Sequence, residues 1–116
     1  MNPQPIIDQT TFTALRDNMG ADFLPELAQV YFEETPQLLE NLHQALEKND
    51  KEAFRMAAHS IKSTSNSFGA LEFGALAKEL EMMGREGRLQ EAPGKVEELV
   101  NGYEAVKLAL KELVDG

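Results

Sequence analysis

The sequence contains no cysteine, and this absence excludes several kinds of chemistry. Neither a disulfide, a thiolate nucleophile nor a cysteine-ligated metal can form in the 116-residue chain. No apolar run approaches the roughly 20 residues that a transmembrane helix needs. The first residues also lack the basic segment and apolar stretch of a signal peptide. We therefore expect a cytoplasmic protein that does not enter a membrane.

Basic residues are scarce as well: 11 Lys and Arg stand against 20 Asp and Glu, for a formal net charge of −9. This balance argues against nucleic acid or an anionic membrane surface as a partner, because both select for basic patches. The sequence also lacks the glycine-rich phosphate-binding loops of nucleotide-binding proteins. We expect no nucleotide site, no bound cofactor and no autophosphorylation.

Strand patterns are missing too, since no segment alternates apolar and polar residues for long. Apolar residues instead recur at helical spacing, which predicts helices over about 8–19, 22–48, 50–67, 71–84 and 95–114. Residues 1–7, with two prolines, are expected to form a flexible leader, and 8–116 a single domain. Short connections between long helices predict an all-α, up-down antiparallel four-helix bundle with an additional short N-terminal helix.

The third predicted helix carries one of the two histidines of the chain. A helical wheel places Ile61 at the centre of its buried face, with Phe54, Ala57, Ala58, Ser65 and Phe68 around it. His59 lies about 160° from that centre and is expected to face solvent. Arg55 and Lys62 flank it on the wheel, so the exposed face is predicted to be locally basic.

These neighbours point to a phosphoryl acceptor. Like charges on Arg55 and Lys62 favour the neutral imidazole of His59, which is its nucleophilic form. Small side chains at Ser63 and Asn66 leave room for another protein to approach. Lys62 can offset the negative charge of a phosphoryl group after transfer. An ordinary surface histidine is the simpler interpretation of His59, but it leaves this combination unexplained.

The segment AAHSIKSTSNSFGA, residues 57–70, resembles the signature of histidine-containing phosphotransfer domains. The similarity extends over about residues 8–115, through DFLPELAQVYFEETPQLLENLHQAL and LAKELEMMGREGRL. By this resemblance His59 matches the phosphorylated histidine, Lys62 the lysine that helps to hold the phosphate, and Gly69 the glycine that ends the helix. Glu81 matches a position whose amide or acid hydrogen-bonds the imidazole, directly or through water.

The resemblance also implies how such a protein works. It implies a monomeric four-helix bundle that carries phosphate between proteins and is not a stand-alone catalyst. His59 would accept a phosphoryl group from a receiver-domain aspartate or a hybrid sensor histidine kinase, and would pass it to a response-regulator receiver domain. The Mg²⁺ would come from the receiver partner, and no metal site is expected in this chain.

The docking surface is expected to surround His59. Its proposed members are Arg55, Met56, Asn66, Phe32 and Leu39, the last two as exposed apolar residues beside the second helix's buried stripe. Packing of Phe32 and Leu39 against the first helix is an equally good interpretation. Ser63 departs from the family pattern, which usually has glycine there, at the point of closest approach by a receiver domain.

Two other classes of function are consistent with parts of the sequence. A phosphate-independent docking module would have the same bundle, but it would not require His59, Lys62 and Gly69 together. A metal-binding bundle is suggested by Glu40 and His43, which form an E-x-x-H pair. Di-metal bundles need two such pairs and two further inward-facing glutamates, and His43 is predicted to lie on an outer face.

Overall fold

The computed structural model describes residues 6–115 of the chain, and these residues fold into helices only. The helices are α1 (Gln9–Met19), α2 (Leu24–Glu47), α3 (Lys51–Phe68), α4 (Leu71–Glu86) and α5 (Pro93–Asp115), with a short 3-10 helix at Leu89–Glu91 before α5. The predicted all-α fold with a short N-terminal helix is confirmed. None of these helices is long and apolar enough to cross a membrane.

Local capping accounts for several helix ends. The carboxylates of Asp8 and Asp50 accept hydrogen bonds from the backbone N–H groups of Thr11 (3.0 Å) and Ala53 (3.1 Å), which starts α1 and α3 at the predicted places. Gly69 ends α3 with a φ of 94°, a left-handed conformation that glycine adopts without steric cost.

Three predicted boundaries are wrong, and one of them is the start of α5, which begins at Pro93 and not at residue 95. Asp22 does not cap α2, which begins at Leu24 with Phe23 in the cap position. Gly84 does not end α4, which continues to Glu86 and ends at Gly87 with a φ of 71°. A glycine near a helix end resembles a stop signal, but Gly84 lies inside the helix where α4 packs closely on α3. The first turn of α2 contains Pro25. Proline is tolerated there because the N–H that it lacks would have no helical partner in the first turn.

The four long helices pack antiparallel to their neighbours. On α3 and α4, Asn66 meets Gly74 near one end and Arg55 meets Gly84 near the other. Helix α2 runs beside both α3 and α5, and α5 also packs on α4. The core contains, among its most buried large side chains, Leu42, Phe54, Ile61, Leu80, Leu99 and Leu110.

The last residue of the predicted leader, Ile7, belongs to the folded domain. Ile7 is 4% exposed and belongs to the core, and the N–H of Asp8 donates to the carbonyl of Gly69 at 2.7 Å. A Cβ atom at position 69 would lie 2.7 Å from the carbonyl oxygen of Asp8, so the glycine makes this close contact possible. Residues 1–5 of the predicted leader lie outside the described residues.

Candidate functional site

The site is built on the exposed side of α3. All six residues predicted for its buried face are buried. The side chain of His59, on the opposite side, is 55% exposed. The helical period alone therefore oriented this histidine correctly.

A buried carboxylate from α4 meets this face. Oε2 of Glu81 lies 2.7 Å from Nδ1 of His59, and Oε1 accepts a hydrogen bond of 2.7 Å from Nζ of Lys62. The Glu81 side chain is only 5% exposed, whereas that of Lys62 is 24% exposed. His59 and Lys62 are three residues apart, so they lie on the same side of α3 and share one carboxylate. The contact between His59 and Glu81 is direct.

Two glycines of α4 allow this close approach of the helices. A Cβ atom at position 84 would lie 3.1 Å from the backbone nitrogen and Cα of Arg55. At position 74 it would collide with the side-chain amide of Asn66. Because side chains are absent there, α4 comes near enough for Glu81 to reach two residues of α3.

The surroundings of Glu81 keep it ionised. Burial raises the pKa of its carboxyl, but hydrogen bonds from Lys62 and His59, together with their charges, outweigh burial and hold the pKa below its ordinary value. The guanidinium of Arg85, one helical turn further along α4, lies 3.7 Å from Oε2. Arg85 is 65% exposed, so its charge also faces solvent next to His59.

An ionised carboxylate fixes the tautomer of the histidine. A carboxylate can only accept hydrogen bonds, so Nδ1 of His59 carries the proton and donates to Glu81. In the neutral ring the lone pair is then on Nε2. The arrangement therefore presents one oriented nucleophilic nitrogen on an exposed side chain.

The prediction of a locally basic face was incomplete. Glu81 places a negative charge between His59 and Lys62. Arg55 is directed to Glu52 of its own helix, to which its Nε donates at 3.2 Å. Lys62 and Arg85 are the two cations that pair with the same carboxylate as His59. No signal in the α3 sequence pointed to Arg85.

A groove between α2 and α3 opens beside the imidazole. It has a volume of about 410 Å³ and is lined by Glu34, Gln37, Leu38, His59, Ser60, Ser63 and Thr64. Ser63 is exposed at its edge. Met56, one turn before His59, is 58% exposed. Ser63 and Met56 therefore lie where the sequence placed them, whereas Glu34, Gln37 and Leu38 were not predicted.

Two proposed docking residues lie elsewhere. Leu39 is 7% exposed and belongs to the core, so it is not a surface residue. Phe32 is partly buried, and its ring lies 5.7 Å below Nζ of Lys111 on α5. Phe32 is about 160° around α2 from Glu34, on the side away from the groove. Neither residue adjoins His59, and Leu38 takes the position expected for Leu39.

Two further predicted residues support the helices and are more distant from the imidazole. Asn66 is partly buried, with its amide against Gly74 of α4. Gly69 packs against the backbone of Asp8 and lies ten residues beyond His59, a distance of about 15 Å along the helix axis.

The acidic residues and histidines of the structure do not gather into a metal site within residues 6–115. No three of their side chains come together there as a possible set of ligands. His43 is paired only loosely with Glu97, at 4.0 Å, across α2 and α5. Among these residues, Glu40 and His43 are therefore not part of a three-ligand cluster.

Comparison with known proteins agrees with this fold. The sequence matches the Hpt domain family over residues 26–114. The structure is similar to the crystal structure of histidine-containing phosphotransfer protein B (HptB) from Pseudomonas aeruginosa PAO1, with a TM-score of 0.89, 31% sequence identity and 97% of each chain covered. A comparison with curated protein sequences finds no match. The chain belongs to the Hpt family of histidine-containing phosphotransfer proteins, which are phosphorelay carriers and not stand-alone catalysts.

Proposed function

We propose that His59 carries the phosphoryl group of this phosphorelay protein on Nε2. The observation that carries the proposal is the 2.7 Å contact between Nδ1 and Glu81, combined with the exposure of the histidine side chain. The contact holds the proton on one ring nitrogen and leaves the lone pair on the other. Of the two histidines, only His59 has such a buried carboxylate partner within residues 6–115.

The transfer step follows from this tautomer. The Nε2 lone pair attacks the phosphorus of an aspartyl phosphate in a receiver domain, and the bond between phosphorus and the aspartate oxygen breaks. The electron pair of that bond leaves with the aspartate carboxylate. The imidazole keeps its Nδ1 proton and gains positive charge, which the carboxylate of Glu81 stabilises. By the reverse chemistry, the phosphoryl group then passes from His59 to a second receiver domain.

Lys62 has a different role in this proposal. Its ammonium group is held by Glu81 beside the imidazole, close to where the phosphoryl oxygens arrive. A lysine there offsets phosphate charge as a point charge. In-line transfer also requires a divalent cation, and we assign Mg²⁺ to the receiver partner.

The partners are proposed from the surface beside His59. Hpt domains interact with receiver domains and kinases, and the groove formed by α2 and α3 offers Leu38 as an apolar contact next to the nucleophile. We assign this groove to a response-regulator receiver domain, and the phosphate source to a hybrid sensor histidine kinase. A monomer acting in the cytoplasm belongs to the same proposal, as the resemblance to the family implies.

The test is phosphorylation of the whole protein by phosphoramidate and by a phosphorylated receiver domain. We expect an acid-labile, base-stable label that is lost in His59→Gln. The chain provides a matched control, since His43→Gln removes the other surface histidine and should label normally. Lys62→Gln should slow labelling by about tenfold or more, because a charge-assisted contact is lost. Lys78→Gln, at an exposed lysine of α4, should not.

The results separate the proposed function from a docking module. Labelling that persists in His59→Gln would show that another residue carries the phosphate. A protein that binds receiver domains, is folded and takes no label from either donor would favour the phosphate-independent docking module. Circular dichroism of each variant shows whether a lost label reflects lost folding.

A further inference from the structure

A second groove lies between α4 and α5, and the phosphotransfer site does not use it. It has a volume of about 490 Å³, and its apolar lining includes Phe73, Leu76 and Val106. Gly102 contributes no side chain to it, and a Cβ atom there would touch the ring of Phe73 at 3.6 Å. Ile6 is 44% exposed at its edge, so apolar surface continues outward from the groove.

This groove faces away from His59. Glu81 marks the side of α4 that meets the imidazole. Glu72 and Glu79, which line the second groove, lie about 180° and 160° around α4 from Glu81. A partner in this groove would therefore leave the surface around His59 free for a receiver domain.

The charged residues of the lining are all acidic within residues 6–115. They are the exposed glutamates Glu72, Glu79 and Glu98. Lys95 pairs with Glu79 at 2.9 Å. Three carboxylates and one lysine leave the rim with a formal charge of −2.

The two helices that form the groove run antiparallel, as shown by the contacts of Lys95 with Glu79 and of Gly102 with Phe73. The span from Glu72 to Glu79 is about 10 Å, or two helical turns. An apolar groove between two such helices accepts the apolar face of a third helix. The negative rim requires that the flanks of this helix carry Lys or Arg.

We propose that the groove between α4 and α5 docks a basic amphipathic helix of a partner protein, on the side opposite the phosphoacceptor histidine. This interaction goes beyond phosphoryl transfer, since it would tether the carrier without covering His59. A second copy of this chain is a poorer occupant. A two-fold interface places the same surface on both sides, so the acidic rims of Glu72 and Glu98 would face each other.

The first measurement uses two synthetic peptides of about 15 residues, long enough for partial helicity. One has Leu at every third or fourth position and Lys elsewhere, and the other has Glu in place of each Lys. Each is titrated into the full-length ¹⁵N-labelled protein, and binding is followed by amide chemical shifts and fluorescence anisotropy. We expect the Lys peptide to shift the amides of Phe73, Leu76 and Val106, and the Glu peptide to cause no saturable shift.

Variants on the rim and in the groove locate the binding. Glu72→Gln with Glu98→Gln should weaken the Lys peptide about three- to tenfold, which is the size expected for two exposed ion pairs. The matched double variant Glu26→Gln with Glu47→Gln changes the net charge equally on α2 and should alter affinity less than about twofold. Ala105→Gln places bulk in the groove and should weaken binding about tenfold or more.

Ala14→Gln is the control for bulk, because Ala14 is exposed on α1. Shifts centred on the groove between α2 and α3, shifts spread evenly over the acidic surface, or equal effects of Ala105→Gln and Ala14→Gln would each overturn the proposal. Labelling of His59 by phosphoramidate is measured in the same samples and should be unchanged. Loss of peptide docking and loss of phosphorylation are therefore separate results.

Discussion

The backbone of Arg55 packs directly against Gly84, so that a Cβ atom at position 84 would lie 3.1 Å from the nitrogen and Cα of Arg55. This contact is one helical turn from the proposed phosphoacceptor site on both helices. His59 follows Arg55 by four residues on α3, and Glu81 precedes Gly84 by three on α4. The glycine therefore sets the separation of the helices where the imidazole meets its carboxylate.

Replacement of Gly84 by alanine should disturb both stability and the site. The added methyl group meets backbone atoms, which cannot rotate away, so the helices must separate by a few tenths of an ångström. We expect a loss of about 1–2 kcal/mol in the free energy of unfolding, after a gain of up to about 1 kcal/mol in helix propensity. Urea denaturation measures the first effect, and the rate of labelling by phosphoramidate, which should fall, measures the second.

Gly94 is the matched control for this substitution. It lies in the first turn of α5, where a Cβ atom would have nothing within 4 Å. Gly94→Ala should leave stability unchanged or raise it by up to about 1 kcal/mol, with normal labelling. Equal stability of Gly84→Ala and Gly94→Ala would show that the contact with Arg55 does not limit the approach of α4.

Removal of the Glu81 carboxylate should weaken both the fold and the acceptance of phosphate. Glu81→Ala leaves Lys62 and His59 without their shared acceptor, and we expect a loss of about 1–3 kcal/mol at pH 7. Glu81→Gln keeps an acceptor for Nδ1 of His59 but removes the charge, so it should be less destabilising than alanine. Labelling of His59 should be slower in both variants, and most in Glu81→Ala.

The effect of Glu81 also depends on pH. Its pKa is lowered in the folded protein, since the hydrogen bonds and charges of Lys62 and His59 outweigh burial. The carboxylate therefore stabilises the fold above its unfolded pKa of about 4.5, and this contribution is lost as the pH falls through the lower folded pKa. The stability difference between wild type and Glu81→Gln should shrink below pH 4.5 in acid titrations; a constant difference from pH 7 to pH 3 would contradict this explanation.

Most of the fold and the central part of the site could be predicted from sequence. Helical periodicity predicted the orientation of α3 because its buried residues recur at helical spacing, and this placed His59 on the exposed side. The contact of Glu81 with His59 was predicted from resemblance to a family, since helical periodicity does not relate residues 22 positions apart on different helices. The sharing of one carboxylate by His59 and Lys62 could not be predicted from the sequence, because it depends on the relative positions of α3 and α4.

The errors have physical causes as well. Periodicity placed Leu38 in the buried stripe of α2 and its neighbour Leu39 on the flank, whereas the structure buries Leu39 and leaves Leu38 in the groove. The buried stripe of α2 passes through Ala28, Thr35 and Leu39, and Thr35 is only 1% exposed although it is polar. Gly84 was taken for a helix end because the requirement for a glycine there comes from Arg55 on another helix.

Ser63 provides a test of how closely a receiver domain approaches. It is exposed at the edge of the groove beside His59. Ser63→Gly should keep or increase transfer from a receiver domain, at a cost of about 0.5 kcal/mol in helix stability. Ser63→Phe should block transfer from the receiver domain but leave labelling by phosphoramidate nearly normal, since only the larger donor needs the groove.

Ser67→Phe is the control for added bulk on α3, because Ser67 is exposed and lies two turns beyond His59. Equal inhibition by phenylalanine at both positions would show that the receiver domain contacts a wider area than the groove. A large loss of transfer in Ser63→Gly would mean that the hydroxyl, and not the small size of the residue, is required.

Loss of the hydroxyl group should change the stability of the fold differently at the two buried tyrosines. The hydroxyl of Tyr31 is hydrogen-bonded to Ser65 at 2.8 Å, whereas that of Tyr103 has no partner among residues 6–115. Tyr31→Phe leaves the fully buried Ser65 without its partner and should cost about 1–3 kcal/mol. Tyr103→Phe should change stability by less than about 0.5 kcal/mol or increase it, because a phenyl ring has no polar group to desolvate.

The titration of Tyr103 gives this comparison a pH dependence. Burial, followed by the charges of Tyr31 and Glu104, raises the pKa of Tyr103 from 10.0 to about 12. The folded state therefore favours the neutral phenol, and its contribution is complete below pH 10 and lost as the pH rises toward 12. Urea denaturation at several alkaline pH values should show that Tyr103→Phe loses less stability than wild type over this range. Parallel curves for the two proteins would mean that Tyr103 ionises as readily in the folded bundle as in the unfolded chain.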